Sequence, residues 1–264
     1  SNCGLVFAED HLDRGPEWRA FNPTKERTGA PLTRARHDRG LSTQIGFINR
    51  GTSGAKRRQL ARLRRQHNRS IISTKKDRNQ VYAFTEIRRI TSTLSLPRRT
   101  RDNACMLFDQ SQTNELLRGR SVEGFAAAAV YASCRIEGLS RTIDEITDIA
   151  KASPNELKTA YDAMNRELGL PTGPIDPREY LPRFASELDL PPTIEQQATQ
   201  YVDYLTEHHL IAGRNPSGIA GACLYAAALD ADHPLTQKAA ATVANITPVT
   251  LRSNHRLLTT DTAT

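Results

Sequence analysis

The residues of this 264-residue chain best suited to chemistry are cations and small side chains at helical spacing. Near the end of the chain, Pro248-Val249-Thr250-Leu251-Arg252-Ser253-Asn254-His255-Arg256-Leu257-Leu258 splits into two faces when wound as a helix. Leu251, His255 and Leu258 point inward, whereas Val249, Arg252, Ser253 and Arg256 follow i, i+3, i+4, i+7 spacing outward. An outward valine can meet a thymine methyl and an outward arginine can take guanine O6 and N7, which is major-groove chemistry; Thr250 and Ser253 add hydroxyls to the set. A plain packed helix pair gives the same pattern. The second set lies between Ala55 and His67, where Lys56, Arg57, Arg58, Arg62, Arg64 and Arg65 surround Leu60, Leu63 and His67 without an intervening acid. So charged a helix repels itself in isolation and should form fully against an acidic or nucleic-acid surface. A nuclear-localisation signal is the other reading of such a run. Nothing supports an enzyme: the seven His are dispersed, no carboxylates stand at metal-ligand spacing, and no glycine-rich phosphate loop is present.

The elements that must hold these residues are used twice. Gly119-Arg120-Ser-Val-Glu-Gly124-Phe-Ala126 matches Gly213-Arg214-Asn-Pro-Ser-Gly218-Ile-Ala220 at an offset of 94 residues. The same offset carries Leu94-Ser-Leu96-Pro97 onto Leu188-Asp-Leu190-Pro191, and residues 150–157 onto 244–251. Each copy reads as five helices, near 77–94, 98–112, 120–135, 142–150 and 154–168 in the first and 178–188, 193–208, 214–229, 236–244 and 248–260 in the second. The third helix of each is Ala, Gly and small apolar residues nearly all round, so it is the buried one around which the others pack. Ser153-Pro154-Asn155-Glu156 supplies an N-cap, a first-turn proline and a returning carboxylate, and Thr247-Pro248 repeats the cap and the proline. Helix, tight turn and capped helix make a helix-turn-helix. In the first copy its outward face is Pro154, Asn155, Lys158 and Asp162, poorer for reading DNA. No strand pattern interrupts the body, so the fold class is all-α.

The charge is segregated. Between Arg14 and Arg78 stand 18 Lys/Arg against the four acids Glu17, Glu26, Asp38 and Asp77, whereas residues 81–264 carry 18 basic and 22 acidic side chains. A near-neutral helical body with a basic extension suits a polyanionic partner. Residues 1–55 show no hydrophobic period and cannot fold alone; on charge alone they also read as a solvated tail. Yet they contain the only tryptophan, Trp18, three residues from Phe21, a pair suited to anchoring in a partner's groove or to packing back on the body. The longest small-apolar runs fall far short of the roughly 18–20 residues a membrane span requires. Cys105, Cys134 and Cys223 sit in apolar patterns as small hydrophobes, which suits a reducing, cytoplasmic setting.

Several strings, in order along the whole chain, resemble archaeal transcription factor B, the homologue of eukaryotic general transcription factor IIB: Cys3-Gly-Leu-Val, Gly15-Pro-Glu17-Trp18-Arg19-Ala-Phe21, Arg27-Thr-Gly-Ala-Pro-Leu-Thr, His37-Asp-Arg-Gly-Leu-Ser-Thr, Gly119-Arg120-Ser-Val-Glu-Gly, Arg141-Thr-Ile-Asp-Glu-Ile and Val249-Thr250-Leu-Arg252. The resemblance implies two tandem cyclin-like five-helix repeats (residues 77–172 and 173–264). Before them it implies a remnant of a zinc ribbon (1–13), a reader-type arm (14–54) and a basic linker helix with its linker (55–76). It implies a monomer of the archaeal nucleoid that grips promoter DNA bound to TATA-binding protein, recruits RNA polymerase, and aids DNA opening and start-site choice. By the same resemblance, Val249 and Arg252 read the element upstream of the TATA box, with Thr250 and Ser253 beside them, and Arg256 contacts the backbone. Arg120 and Arg214 contact TATA-binding protein or phosphate. Glu17, Trp18, Arg19, Arg27, Arg57, Arg58, Arg62, Arg64 and Arg65 enter the polymerase cleft. Of the ribbon's zinc ligands only Cys3 is present, and one thiolate cannot hold a structural zinc, which takes four ligands; either the sequence begins inside the ribbon or the ribbon was lost. Members usually continue the recognition helix as Arg-Asn-Arg-Tyr, where this chain has Arg252-Ser253-Asn254-His255. The alternative function is a cyclin-like adaptor or competing paralogue that binds protein only.

Overall fold

A computed structural model describes residues 33–40, 45 and 53–261, with side chains described as far as 258. Among them every regular element is helical. A solitary helix α1 (Gly54–Ile71) leads into five helices: α2 (Lys75–Thr93), α3 (Arg98–Thr113), α4 (Val122–Ile136), α5 (Ile143–Ile149) and α6 (Pro154–Leu168). After a linker and a 3-10 turn (Pro177–Tyr180), the set recurs as α7 (Leu181–Glu187), α8 (Pro192–Glu207), α9 (Pro216–Asp230), α10 (Gln237–Val243) and α11 (Pro248–Asp261). The expected helices therefore exist. The boundary that differs most is the start of the second copy, where Pro177 and Pro182 leave a 3-10 turn before the α-helix proper.

The central helices explain the architecture. In α4 every residue from Gly124 to Cys134 is buried, and in α9 all but Tyr225 from Ser217 to Ala228. Such a helix has no solvated face and must be wrapped. Accordingly α2, α3, α5 and α6 pack on α4, and α7, α8, α10 and α11 pack on α9. The first core holds Ile87, Phe108, Phe125, Leu157 and Met164, the second Phe184, Ile194, Leu205, Ile219 and Leu224. Between the repeats, Arg183 of α7 donates to Glu145 of α5 at 2.8 Å.

The 94-residue offset extends to backbone dihedral angles. Ser95 and Asp189 have φ 52° and 51°, Glu115 and His209 55° and 57°, Gly119 and Gly213 72° and 71°. A non-glycine residue in the left-handed region is disfavoured by contact of its Cβ with the backbone. Paired helix-ending bonds hold these residues there: Leu96 N–H to Thr91 O and Leu190 N–H to Ala185 O, both at 2.9 Å.

Candidate nucleic-acid interface

The second helix-turn-helix is built from caps and a close approach. Thr236 caps α10 by accepting from Ala239 N–H at 3.2 Å. The turn then passes through Asn245 at φ 51°, with Ile246 N–H returning to Ala241 O at 2.9 Å. Thr247 caps α11: its Oγ1 accepts from Thr250 N–H at 3.2 Å and lies 2.9 Å from the Thr250 hydroxyl. Beneath the turn lies Gly221 of α9, where a Cβ would stand 2.7 Å from that of Ala244. Only a glycine lets the turn settle so close.

Leu251 and Leu258 of α11 are buried against α9 as expected, and His255 is half-buried with its ring edge-on to Tyr225, centroids 5.2 Å apart. The expected inward set lacked Asn254. It is 2% exposed, its Oδ1 accepts from Arg214 Nη1 at 2.9 Å, and its Nδ2 is buried without a hydrogen-bond partner. Its i+3 spacing from Leu251 is the signal for this in the sequence, offset by the preference of asparagine for the surface.

The outward set emerges as one stripe. Val249 is 68% exposed, and Arg252, Ser253 and Arg256 are all exposed. Arg252 Nε donates back to Pro248 O at 3.3 Å, which lays its stem along the helix surface. Thr250 is half-buried, its hydroxyl already engaged with Thr247. An exposed large apolar side chain followed one and two turns along the helix by guanidinium groups can meet both a base edge and a phosphate.

The two arginines of the Gly-Arg strings part company. Arg120 is exposed, its Nη1 donating to Leu116 O at 2.6 Å, and it borders a polar recess of about 320 Å³ with Ser121, Asn155 and Thr159. Arg214 is half-buried, with one guanidinium nitrogen turned inward onto Asn254. Both capped turns form as expected, but the chain enters them differently. Ser153 and Glu156 do form the reciprocal capping box, but Ala150 before it is extended, and Lys151 N–H is held by Glu86 Oε1 of α2 at 3.1 Å. Arg89 completes this clamp, bonding both Glu86 and Ile149 O, and that charge-assisted pairing holds the Glu86 carboxyl below its ordinary range.

In α1, Ser53 caps the start by accepting from Lys56 N–H. Arg57, Arg58, Arg62 and Arg65 are exposed, whereas Arg64 is half-buried and donates from Nε to Ile45 O at 3.2 Å. The expected inward face only partly forms: Leu60 and His67 are half-buried, but Leu63 is 42% exposed and α1 has no buried residue. Of the arm, the turn 33–40 seats Ala35 in the first core. Cys3, Glu17, Trp18, Arg19 and Arg27 lie outside the described residues. No group of three or more His, Cys, Asp and Glu that could hold a metal ion is found among the described residues. Burial pushes the Cys105, Cys134 and Cys223 thiols up to about 12, so they are hydrophobic filling rather than ligands. No described helix is long and apolar enough to cross a membrane.

Two tandem five-helix units of cyclin-like type, ending in an exposed helix-turn-helix and preceded by a basic helix, define a class of non-enzymatic proteins built to grip rather than to react. The model of the transcription factor TFIIB repeat matches residues 76–167 and again 171–261. Transcription initiation factor IIB 1 of Halobacterium salinarum is 59% identical over 263 residues, 98% of this chain and 91% of that protein. Transcription initiation factor IIB 5 of the same organism is 47% identical over 98% of this chain and 86% of its own length. Transcription initiation factor IIB of Methanosphaerula palustris is 40% identical over 97% of this chain and 80% of its own length. The chain belongs to the transcription factor TFIIB family.

Proposed function

We propose that this member of the initiation factor family recognises double-stranded promoter DNA already bound by TATA-binding protein, with α11 in the major groove next to the TATA box. The general role, a transcription initiation factor working with promoter DNA, TATA-binding protein and RNA polymerase, follows from the family. The finer reading is supported above all by the single exposed stripe of Val249, Arg252, Ser253 and Arg256 on a helix whose opposite face is locked into the second core.

The chemistry divides along that stripe. Val249 offers methyl groups to a thymine methyl, and Arg252 offers paired N–H donors to guanine O6 and N7. Ser253 serves either groove edge or phosphate. Arg256, one turn further on, neutralises a phosphate and sets register. Arg120 adds a contact to phosphate or TATA-binding protein. Arg214 braces α11 with one nitrogen and has others to offer the same partner. The arm, with Glu17, Trp18, Arg19 and Arg27, and the arginines of α1 enter the polymerase cleft, where cations face the DNA strands being separated. In the cell the protein works as a monomer, free of the membrane, and Cys3 belongs to a zinc ribbon wherever the other three ligands accompany it.

The test is a mobility shift of a TATA-bearing duplex with TATA-binding protein, wild type against Arg252→Ala, on the natural upstream element and on one with its guanines replaced. The wild type should lose affinity on the altered DNA and the variant should bind both duplexes alike. Undiminished discrimination by the variant would sink the reading. Deleting residues 14–67 should leave this ternary complex intact and abolish permanganate-detected opening of a linear template.

A further inference from the structure

In the first repeat the chain covers one of its own grooves. The linker after α6 runs as Gly169-Leu170-Pro171-Thr172-Gly173, and Leu170 packs on the first core. The Tyr161 hydroxyl donates to Thr172 Oγ1 at 3.1 Å, and the Arg135 guanidinium reaches the Gly173 carbonyl. A short non-helical segment, turned at Pro171 by a Thr172 N–H to Leu170 O bond of 2.7 Å, thus lies against α4 and α6, held by one apolar side chain and by hydrogen bonds to a tyrosine and an arginine.

Ninety-four residues on, the equivalent described residues line a groove that no other described segment fills. Leu229 stands at the position of Arg135, Asp230 at that of Ile136, and His255 at that of Tyr161. With Tyr201, Tyr204 and Leu258 these three line a groove of about 340 Å³ between α8, α9 and α11. Leu229 is 53% exposed there, one of the few large apolar side chains so placed among the described residues. The polar lining has also changed sign. The first repeat offers a cation, which suits a peptide carbonyl; the second offers the Asp230 carboxylate, of whose several acceptor positions one takes the Tyr201 hydroxyl.

We propose that this groove of the second repeat docks a short non-helical segment of a partner protein carrying a branched aliphatic side chain followed within three residues by a cation. The occupant's form is taken from the first repeat, where such a segment is already seated. Its charge is taken from Asp230. The aliphatic residue fills the space between Tyr204, Leu229 and Leu258, as Leu170 fills its own site, and the cation pairs with the exposed Asp230. A mostly apolar cleft of this size with one or two convergent polar groups is the usual form of a peptide or ligand pocket. The groove lies on the α8–α9 side of α11, away from Val249, Arg252 and Arg256, so occupation leaves the promoter-facing stripe free.

The probe is a fluorescent peptide carrying linker residues 168–175 with Gly173→Arg, compared with the same peptide carrying Gly173→Glu, titrated into the full chain and followed by anisotropy. Saturable binding is expected, with the arginine peptide about two- to fivefold tighter at low salt, as an exposed ion pair allows. Asp230→Asn should erase that difference, and Leu229→Asp should weaken both peptides at least fivefold, while both variants retain the wild-type mobility shift on promoter DNA with TATA-binding protein. Absence of saturable binding at millimolar peptide, or equal affinity for the two peptides, would overturn the proposal. So would a concentration-dependent dimer in sedimentation that Leu229→Asp abolishes, because the groove would then be an interface between copies.

Discussion

Set on each other, the two repeats share a skeleton and differ most in how their last two helices are held. Both wrap one wholly buried helix, and both end their first two helices through a non-glycine residue forced left-handed at matching positions. Besides the 3-10 turn that opens the second copy, they diverge at the last two helices and what these face. In the first repeat the connection from α5 to α6 is extended at Ala150 and clamped to α2 by Glu86 and Arg89. In the second it is a left-handed turn at Asn245 that settles on Gly221, with α11 braced by Arg214 through Asn254. The first arrangement ties the helix pair to its own repeat; the second holds α11 firmly while leaving Val249, Arg252 and Ser253 exposed. Duplication conserved what makes a core and freed what makes an interface.

The largest effect should come from matched alanine changes on the two outward faces. Arg252→Ala should cost about 1–3 kcal/mol of promoter binding, the usual worth of one bidentate arginine–guanine pair. Lys158→Ala, one repeat earlier at the same helical position, is exposed and should change binding by less than about 0.5 kcal/mol, in the range of an exposed ion pair. Equal losses in quantitative mobility shifts would mean that both repeats read DNA alike. Next come the two arginines of the Gly-Arg strings. Arg214→Ala strips the buried Asn254 Oδ1 of its donor and should lower stability by about 1–3 kcal/mol, the desolvation cost of a buried polar group left unpaired. Arg120→Ala removes an exposed side chain and should stay within about 0.5 kcal/mol in the same urea titration.

A third contrast tests the close approach. Gly221 corresponds to Ala127 in the first repeat, where a methyl is already accommodated because Ala150 runs extended. Gly221→Ala gains about 1 kcal/mol of helix propensity yet drives a methyl into Ala244 Cβ, and overpacking of this kind costs about 1–3 kcal/mol. Net destabilisation of order 1 kcal/mol should appear as a lower urea midpoint with an unchanged slope. A stabilised variant would show that the turn is free to move.

Periodicity made the skeleton legible: a helix of alanines and glycines must be internal, a proline after a threonine or serine starts a helix, and an exact 94-residue offset assigns both at once. The outward stripe of α11 was readable for the same reason, since Val249, Arg252, Ser253 and Arg256 share a face whatever the packing. The roles of Asn254 and Arg214 were not. The i+3 spacing of Asn254 from Leu251 marks it as inward, but its pairing with Arg214 depends on how far a guanidinium reaches across from the loop before α9, a tertiary distance with no trace in spacing. The difference between the two turns was hidden likewise. Whether Ala150 or Asn245 takes an extended or a left-handed conformation is decided by Glu86 and Gly221 on other helices. For α1 the period pointed to an apolar face, yet Leu63 remains exposed, because no described helix lies against it.

The smallest difference between the repeats is one of titration. His255 replaces Tyr161, and burial against α9 lowers its pKa below the ordinary imidazole value, only partly opposed by the Asp230 carboxylate. A base whose folded-state pKa is depressed binds protons more readily when unfolded, so its contribution to stability is full above the unfolded value of about 6.5 and fades as pH falls below it. Tyrosine carries no charge change in that window. Urea midpoints of the wild type should therefore decline between pH 7 and pH 5 relative to those of His255→Tyr, while carboxylates remote from position 255, Glu86 among them, contribute alike to both proteins and cancel in the difference. A pH-independent difference would show that the imidazole is as well solvated in the groove as in the unfolded chain, and the open groove of the second repeat would then be wetter than its apolar lining implies.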